Sequence, residues 1–183
     1  MQGAVDDATV AGINAWFSNP KADSAGKAVC GEPESVHGIV KTLVDSVVPA
    51  VARTTDRVEI ADLFARLANL LDECRHEDAG TVYHDVVVVR SPRGELHGLD
   101  EVTAHLKRSQ VEGEHTQHVH GDVLVQVDGD RAKATANQLT YFYRDGEAPH
   151  RTSGLRVACT AVRTSAGWRF SESQITLAWM QEK

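Results

Sequence analysis

The stretch His115-Thr116-Gln117-His118-Val119-His120-Gly121 gathers three of the nine histidines into six residues, just ahead of the alternating Val123, Val125 and Val127. Imidazole is the side chain whose ordinary pKa lies nearest neutrality, so the stretch offers a proton carrier. With two rings on one face it also offers a ligand pair for a metal. In an extended strand successive side chains alternate, so His118 and His120 project from one face and His115 from the other. Spacing alone fixes no further histidine beside that pair, and three-ligand sites usually carry tighter cues. A proton carrier in this pair is therefore favoured over a metal centre, the other ring being a second pocket residue or a polar strand-end group.

Composition narrows the function classes. The chain has 183 residues, enough for one domain with a proper core and a tail. Its formal net charge is −7, with 19 Lys and Arg scattered along the chain, so it has no basic field to attract phosphates and nucleic acid is not an expected partner. Cys30, Cys74 and Cys159 are odd in number and far apart, without C-x-x-C spacing. That argues against a disulfide framework and fits a reducing cytoplasm. There is no apolar run long enough to span a membrane and no basic head with an apolar stretch at the N-terminus, so a soluble, unsecreted protein is expected.

The elements that must position the histidines follow from periodicity. Residues 1–55 read as an extension: the breaker cluster at 18–26 and Gly31-Glu32-Pro33-Glu34 interrupt it. Val36, Ile39, Val40, Leu43, Val44, Val47 and Val51 then recur at helical spacing, with Ser35 placed as an N-cap and Pro49 limiting the last turn. A second helix is expected from Asp56, with Glu59 as a capping-box partner, to about Glu73, on the stripe Ile60, Leu63, Phe64, Leu67, Leu70 and Leu71. A short helical turn follows over 77–83. Val86–Val89 reads as a buried strand that returns through Leu96, and Leu99 to about Val111 as a helix. From His115 onward the chain reads as strands, over 115–127, 132–143, 153–164 and 168–179, with Asp128-Gly129-Asp130, Asp145-Gly146 and Ser165-Ala166-Gly167 as turns. The fold class expected is α+β: a curved antiparallel sheet wrapped around three helices, with an interior pocket and an N-terminal helical extension. The domain boundary is expected at 55/56, with the main domain over 56–183.

Several words in this order resemble the nuclear transport factor 2-like superfamily, in particular its SnoaL-like polyketide cyclase and scytalone dehydratase-like branch. They are Leu70-Leu71-Asp72-Glu73, Tyr83-His84-Asp85-Val86-Val87-Val88, Leu96-His97-Gly98-Leu99-Asp100-Glu101-Val102, Thr116–Gly121 followed by Val125–Ala132, and Gly154 through Gly167-Trp168-Arg169-Phe170. The resemblance covers residues 56 to about 178. It implies a cone of helices and sheet without cofactor, often paired as a homodimer through the exposed sheet face.

Carried over word by word, the resemblance implies a catalytic pair inside the cone. His118 is its proton carrier and Asp72, at the end of the helix, its orienting partner. In principle Asp72 could instead complete a metal site with the two histidines. Asn137 falls near a position where relatives place an acid or amide, and Tyr141 and Tyr143 share its face under strict alternation, so these residues, with His120, are expected to hold substrate. The pattern also departs from the family: Leu71 stands where some dehydratase-like relatives have a tyrosine, and Arg90 falls near the isomerase-like base position. The function expected is a cofactor-independent cyclase, dehydratase or isomerase acting on a small, apolar, carbonyl-bearing natural-product intermediate. A non-catalytic ligand-binding or dimerisation module of the same fold is the alternative.

Overall fold

The structure, a computed structural model, describes residues 36–182. The expected N-cap Ser35, the breaker cluster at 18–26 and Cys30 lie outside the described residues. The chain divides into two units, Met1–Thr42 and Leu43–Lys183; of the first, only Val36–Thr42 is described, as helix. All that follows concerns the second unit.

One helix, α1 (Val36–Asp72), covers the span where two were expected. It continues through Pro49 and through Asp56, so Asp56 is no N-cap. Its carboxylate instead accepts from Trp168 Nε1 at 3.1 Å and from Arg163 at 2.8 Å, which ties the helix to the last two strands. The Arg163 hydrogen bond outweighs the cost of burial and, with Trp168 and the Arg163 charge, holds the Asp56 carboxyl below its ordinary value. From Ile60 onward the predicted stripe faces the core: Ile60, Leu63, Phe64, Leu67 and Leu70 are buried.

A 3-10 turn (His76–Thr81) follows, then β1 (Tyr83–Ser91), β2 (Gly94–His97) and α2 (Leu99–Ser109). Just before α2 the His97 amide donates to the Glu101 carboxylate at 2.7 Å, which ties the end of β2 to the first turn of the helix. Asp100 and Glu101 sit in its first turn and Lys107 and Arg108 in its last, the arrangement that complements the helix dipole. The remainder is sheet: β3 (His115–Asp128), β4 (Arg131–Tyr143), β5 (Arg151–Thr164) and β6 (Gly167–Glu182). The turn between β3 and β4 needs a left-handed residue, and Gly129 supplies it at φ +57°.

The six strands form one open, curved sheet in the order β2-β1-β6-β5-β4-β3. It is not wholly antiparallel, because α2 and the β3–β6 meander bring β6 back parallel to β1. Register shifts within β3, between β5 and β6 and along β1 bend it. The core sits between the inner sheet face and the helices, around Trp168, Phe170 and Phe64. Phe64 and Phe170 meet edge to face at 5.0 Å, an arrangement worth about 0.5–1.5 kcal/mol beyond the area it buries.

The bulge in β3 decides what faces inward. Gly121 pairs with Asn137 and Leu124 with Thr135, so three steps on β3 match two on β4. Asp122, at φ +52°, takes up the extra residue. Before the bulge Thr116, His118 and His120 face in; after it Val123, Val125 and Val127 do. One strand thereby presents a polar triplet and an apolar triplet to the same interior.

Candidate active site

Asp72 is the last residue of α1, where a carboxylate meets the negative end of the helix dipole. Three donors from β3 offset that position. The His118 amide donates to Oδ2 at 2.9 Å, the Thr116 hydroxyl to Oδ1 at 3.0 Å, and His118 Nδ1 stands 2.6 Å from Oδ1. Burial alone would raise the Asp72 carboxyl, but the bonds from the His118 ring and amide, the ring's charge and Thr116 together hold it below its ordinary value of 3.8. An ionised carboxylate can only accept, so Nδ1 carries the proton and Nε2 is left as the basic nitrogen.

The His118 side chain is 11% exposed and that of Asp72 22%. His118 lines a cavity of about 490 Å³ that Asp72 does not line. The cavity is made by register rows running across the sheet. His118, Thr140, Ser153 and Met180 are successive partners on β3, β4, β5 and β6; Gln138, Leu155 and Leu177 form the row on one side of it, and Phe142, Arg151 and Glu182 the row on the other. Ile175 joins the apolar part of the wall, and Pro92 and Arg93 of the β1–β2 turn border it. Its size is that of a small-molecule site, and its wall joins an apolar part, Phe142, Leu155, Ile175, Leu177 and Met180, to polar and charged side chains. Arg151 stacks over the Phe142 ring at 3.8 Å and pairs with Glu114 at 3.2 Å, while Glu114 also accepts from His150 at 2.9 Å.

His120 shares the inner face with His118, as alternation requires, but it does not line this cavity. It packs against Phe64, with ring centroids 5.4 Å apart, and its Nε2 meets Gln138 Oε1 at 3.0 Å. Burial is the main reason its pKa is lowered, so the ring is neutral. His115 faces the other way, against Tyr143 and Asp145. Among the described residues no three side chains of metal-ligand type converge.

Asn137, Tyr141 and Tyr143 do share a face, but it is the outer one. Asn137 is exposed, and its amide donates at 2.9 Å to Asp122, the bulge residue, so it braces the bulge rather than facing the cavity. It borders a separate outer hollow of about 390 Å³ with Asp122, Leu124 and Arg156. The expectation that these three residues share a wall with His118 is therefore corrected: strict alternation groups residues without saying which group is inside. The missed wall residues are Gln138, Thr140 and Phe142. The signal for them lay earlier in the strand, where Ala132, Ala134 and Ala136 are buried between exposed Arg131, Lys133 and Thr135. Continuing that parity reaches Gln138, Thr140 and Phe142.

Residues 52–174 match the SnoaL-like domain. The chain belongs to that family. Its fold is the cystatin-like, nuclear transport factor 2-like one. No curated protein matches the sequence. Among solved structures, the Kfla4162 protein of Kribbella flavida is similar at 26% identity and a TM-score of 0.65, over 70% of this chain and 95% of that one. A protein described as a candidate scytalone dehydratase from Novosphingobium aromaticivorans superposes with a TM-score of 0.65 at 14% identity, over 73% of this chain and 91% of its own. A type 2 hexachlorocyclohexane dehydrochlorinase superposes with a TM-score of 0.65 at 13% identity, over 73% and 93%. At those identities the last two show the SnoaL-like chain's fold alone. No helix among the described residues is long and apolar enough to cross a membrane.

Proposed function

We propose that this SnoaL-like protein is a cofactor-independent acid–base enzyme that acts on a small, apolar, carbonyl-bearing natural-product intermediate by dehydration, cyclisation or isomerisation. The observation that carries the reading is the His118 ring, set in the cavity wall with Nδ1 fixed on Asp72. Nε2 takes a proton from the carbon beside the substrate carbonyl, and the electron pair of that C–H bond moves into an enolate. The Asp72 carboxylate steadies the imidazolium. In a dehydration the enolate then expels a hydroxyl group, which leaves as water with the proton returned from Nε2. The names of two fold neighbours, a dehydratase and a dehydrochlorinase, both describe eliminations, which supports the class of step and not the substrate.

The test is a panel of apolar β-hydroxyketones and cyclisable polyketones incubated with the protein in D₂O, followed by NMR and mass spectrometry. The expected result is deuterium exchange beside the carbonyl, or loss of water, on at least one member. Binding without exchange or turnover anywhere in the panel would leave the non-catalytic binding module in its place.

The cytoplasm and the homodimer complete the proposal. Val119, Leu139 and Trp179 form an exposed apolar row on the outer sheet face, which suits pairing of two copies. Sedimentation of the protein and of Leu139→Lys checks this: a dimer for the first and a monomer for the second. We also take residues 56–183 as the functional domain, with the leading segment dispensable for its folding.

A further inference from the structure

Behind the cavity wall runs a buried hydrogen-bond chain that the proton-transfer step does not use. His120 Nε2 lies 3.0 Å from Gln138 Oε1, and Gln138 Nε2 lies 2.9 Å from Thr140 Oγ1. Gln138 is 8% exposed and Thr140 2%, and both line the cavity that His118 lines. Thr140 is also the direct register partner of His118 across β3 and β4.

The chain has a direction. A neutral imidazole carries one N–H, and the two ring nitrogens of His120 are not equivalent: Nδ1 is buried with no hydrogen-bond partner. The carbonyl of Phe64 adds to the ring's proton affinity without reaching hydrogen-bond geometry with it. Nδ1 has no hydrogen-bonded acceptor, whereas Nε2 faces Gln138 Oε1 at 3.0 Å, so the proton sits on Nε2. His120 then donates to Gln138 Oε1. The Gln138 amide group is thereby turned to donate to Thr140 Oγ1, and the Thr140 hydroxyl, already accepting, keeps its own proton to give. Among the described residues that hydroxyl donates to no side chain or carbonyl.

We infer that the Thr140 hydroxyl is the oxygen-binding subsite of the cavity. It donates to the carbonyl or enolate oxygen of the substrate beside His118, and Gln138 and His120 act as positioning residues that set its direction. The inference rests on the acid–base reading and adds to it the group that meets the oxygen, a role the outward Asn137, Tyr141 and Tyr143 do not fill. One chain of bonds accounts for two buried polar side chains, Gln138 and Thr140. A hydroxyl held this way needs no reorganisation when charge develops on the oxygen.

The test uses binding, so that it can fail independently of turnover. The probes are 2-naphthol, an apolar ring with one oxygen, and naphthalene, the same ring without it, titrated into the full chain by calorimetry or ligand-observed NMR. Thr140→Val is expected to weaken 2-naphthol about tenfold and to leave naphthalene unchanged, while Thr140→Ser stays near the parent. His120→Leu is expected to weaken 2-naphthol a few-fold, and His120→Gln, whose amide N–H reaches the place of Nε2, to restore it. The Ser and Gln variants give a second reading should Thr140→Val fold poorly. Equal loss of both probes in Thr140→Val would mean lost packing and would overturn the assignment. So would unchanged 2-naphthol binding in Thr140→Val, or a parent protein that takes up neither probe. His118→Ala tests the base reading separately, by turnover.

Discussion

Asp72 and His118 are joined twice, once through the His118 amide and once through its ring, so the end of α1 and the first half of β3 hold each other in register. The ring contact sets the proton on Nδ1, and the amide contact fixes where the ring stands. The same carboxylate thus serves fold and site, which makes its ionisation visible in stability as well as in chemistry.

Because the Asp72 carboxyl is held below its ordinary value of 3.8, its contribution to stability is fully present above that pH and is lost as pH falls through the folded-state value. The unfolded chain binds the proton first, so acid favours unfolding. Thermal melts of parent and Asp72→Asn from pH 7 to pH 2.5 should show the variant less stable at pH 7, with the gap closing in acid. A gap that stays constant across the range would mean that the carboxylate's charge contributes nothing.

Asp56→Ala should cost about 1–3 kcal/mol, because it leaves the buried Trp168 Nε1–H without its acceptor and frees Arg163. Urea unfolding with Asp56→Asn as the conservative control measures it. A loss below about 0.5 kcal/mol would show that the α1 anchor is not where the structure puts it.

At residue 154 a side chain has no room, since a Cβ there would collide with the indole of Trp179. Gly154→Ala is expected to displace Trp179 from the outer face of the sheet at a cost of about 1–3 kcal/mol, the usual range for overpacking. Tryptophan fluorescence should shift to the red in the variant. An unchanged spectrum would contradict the packing.

How much of this was legible in the sequence depends on which physical signal each feature leaves. The α+β order and every strand were readable, because valine alternation and Gly-containing turns are local. That His118 and His120 share a face followed from a period of two, and that this face is the inner one from the resemblance. The unbroken α1 was not readable: Pro49 and the Asp56–Glu59 pair look like helix ends, and only tertiary bonds from Trp168 and Arg163 explain Asp56 in mid-helix. The bulge at Asp122 left no local mark, and Asn137 was read as facing substrate because its partner there could not be foreseen. The cavity residues Gln138 and Thr140 needed the parity of Ala132, Ala134 and Ala136 carried forward along β4.

The central claim is that His118 moves the proton and Asp72 sets the ring that does it. The measurement is the rate of deuterium exchange or water loss on the best member of the hydroxyketone panel for four proteins: parent, His118→Ala, Asp72→Asn and the double variant. Each single change should lower the rate by on the order of a hundredfold or more, and the double should be little slower than His118→Ala, because members of one unit are not additive. A His118→Ala protein that keeps the parent rate, or two losses that multiply in the double variant, would contradict it.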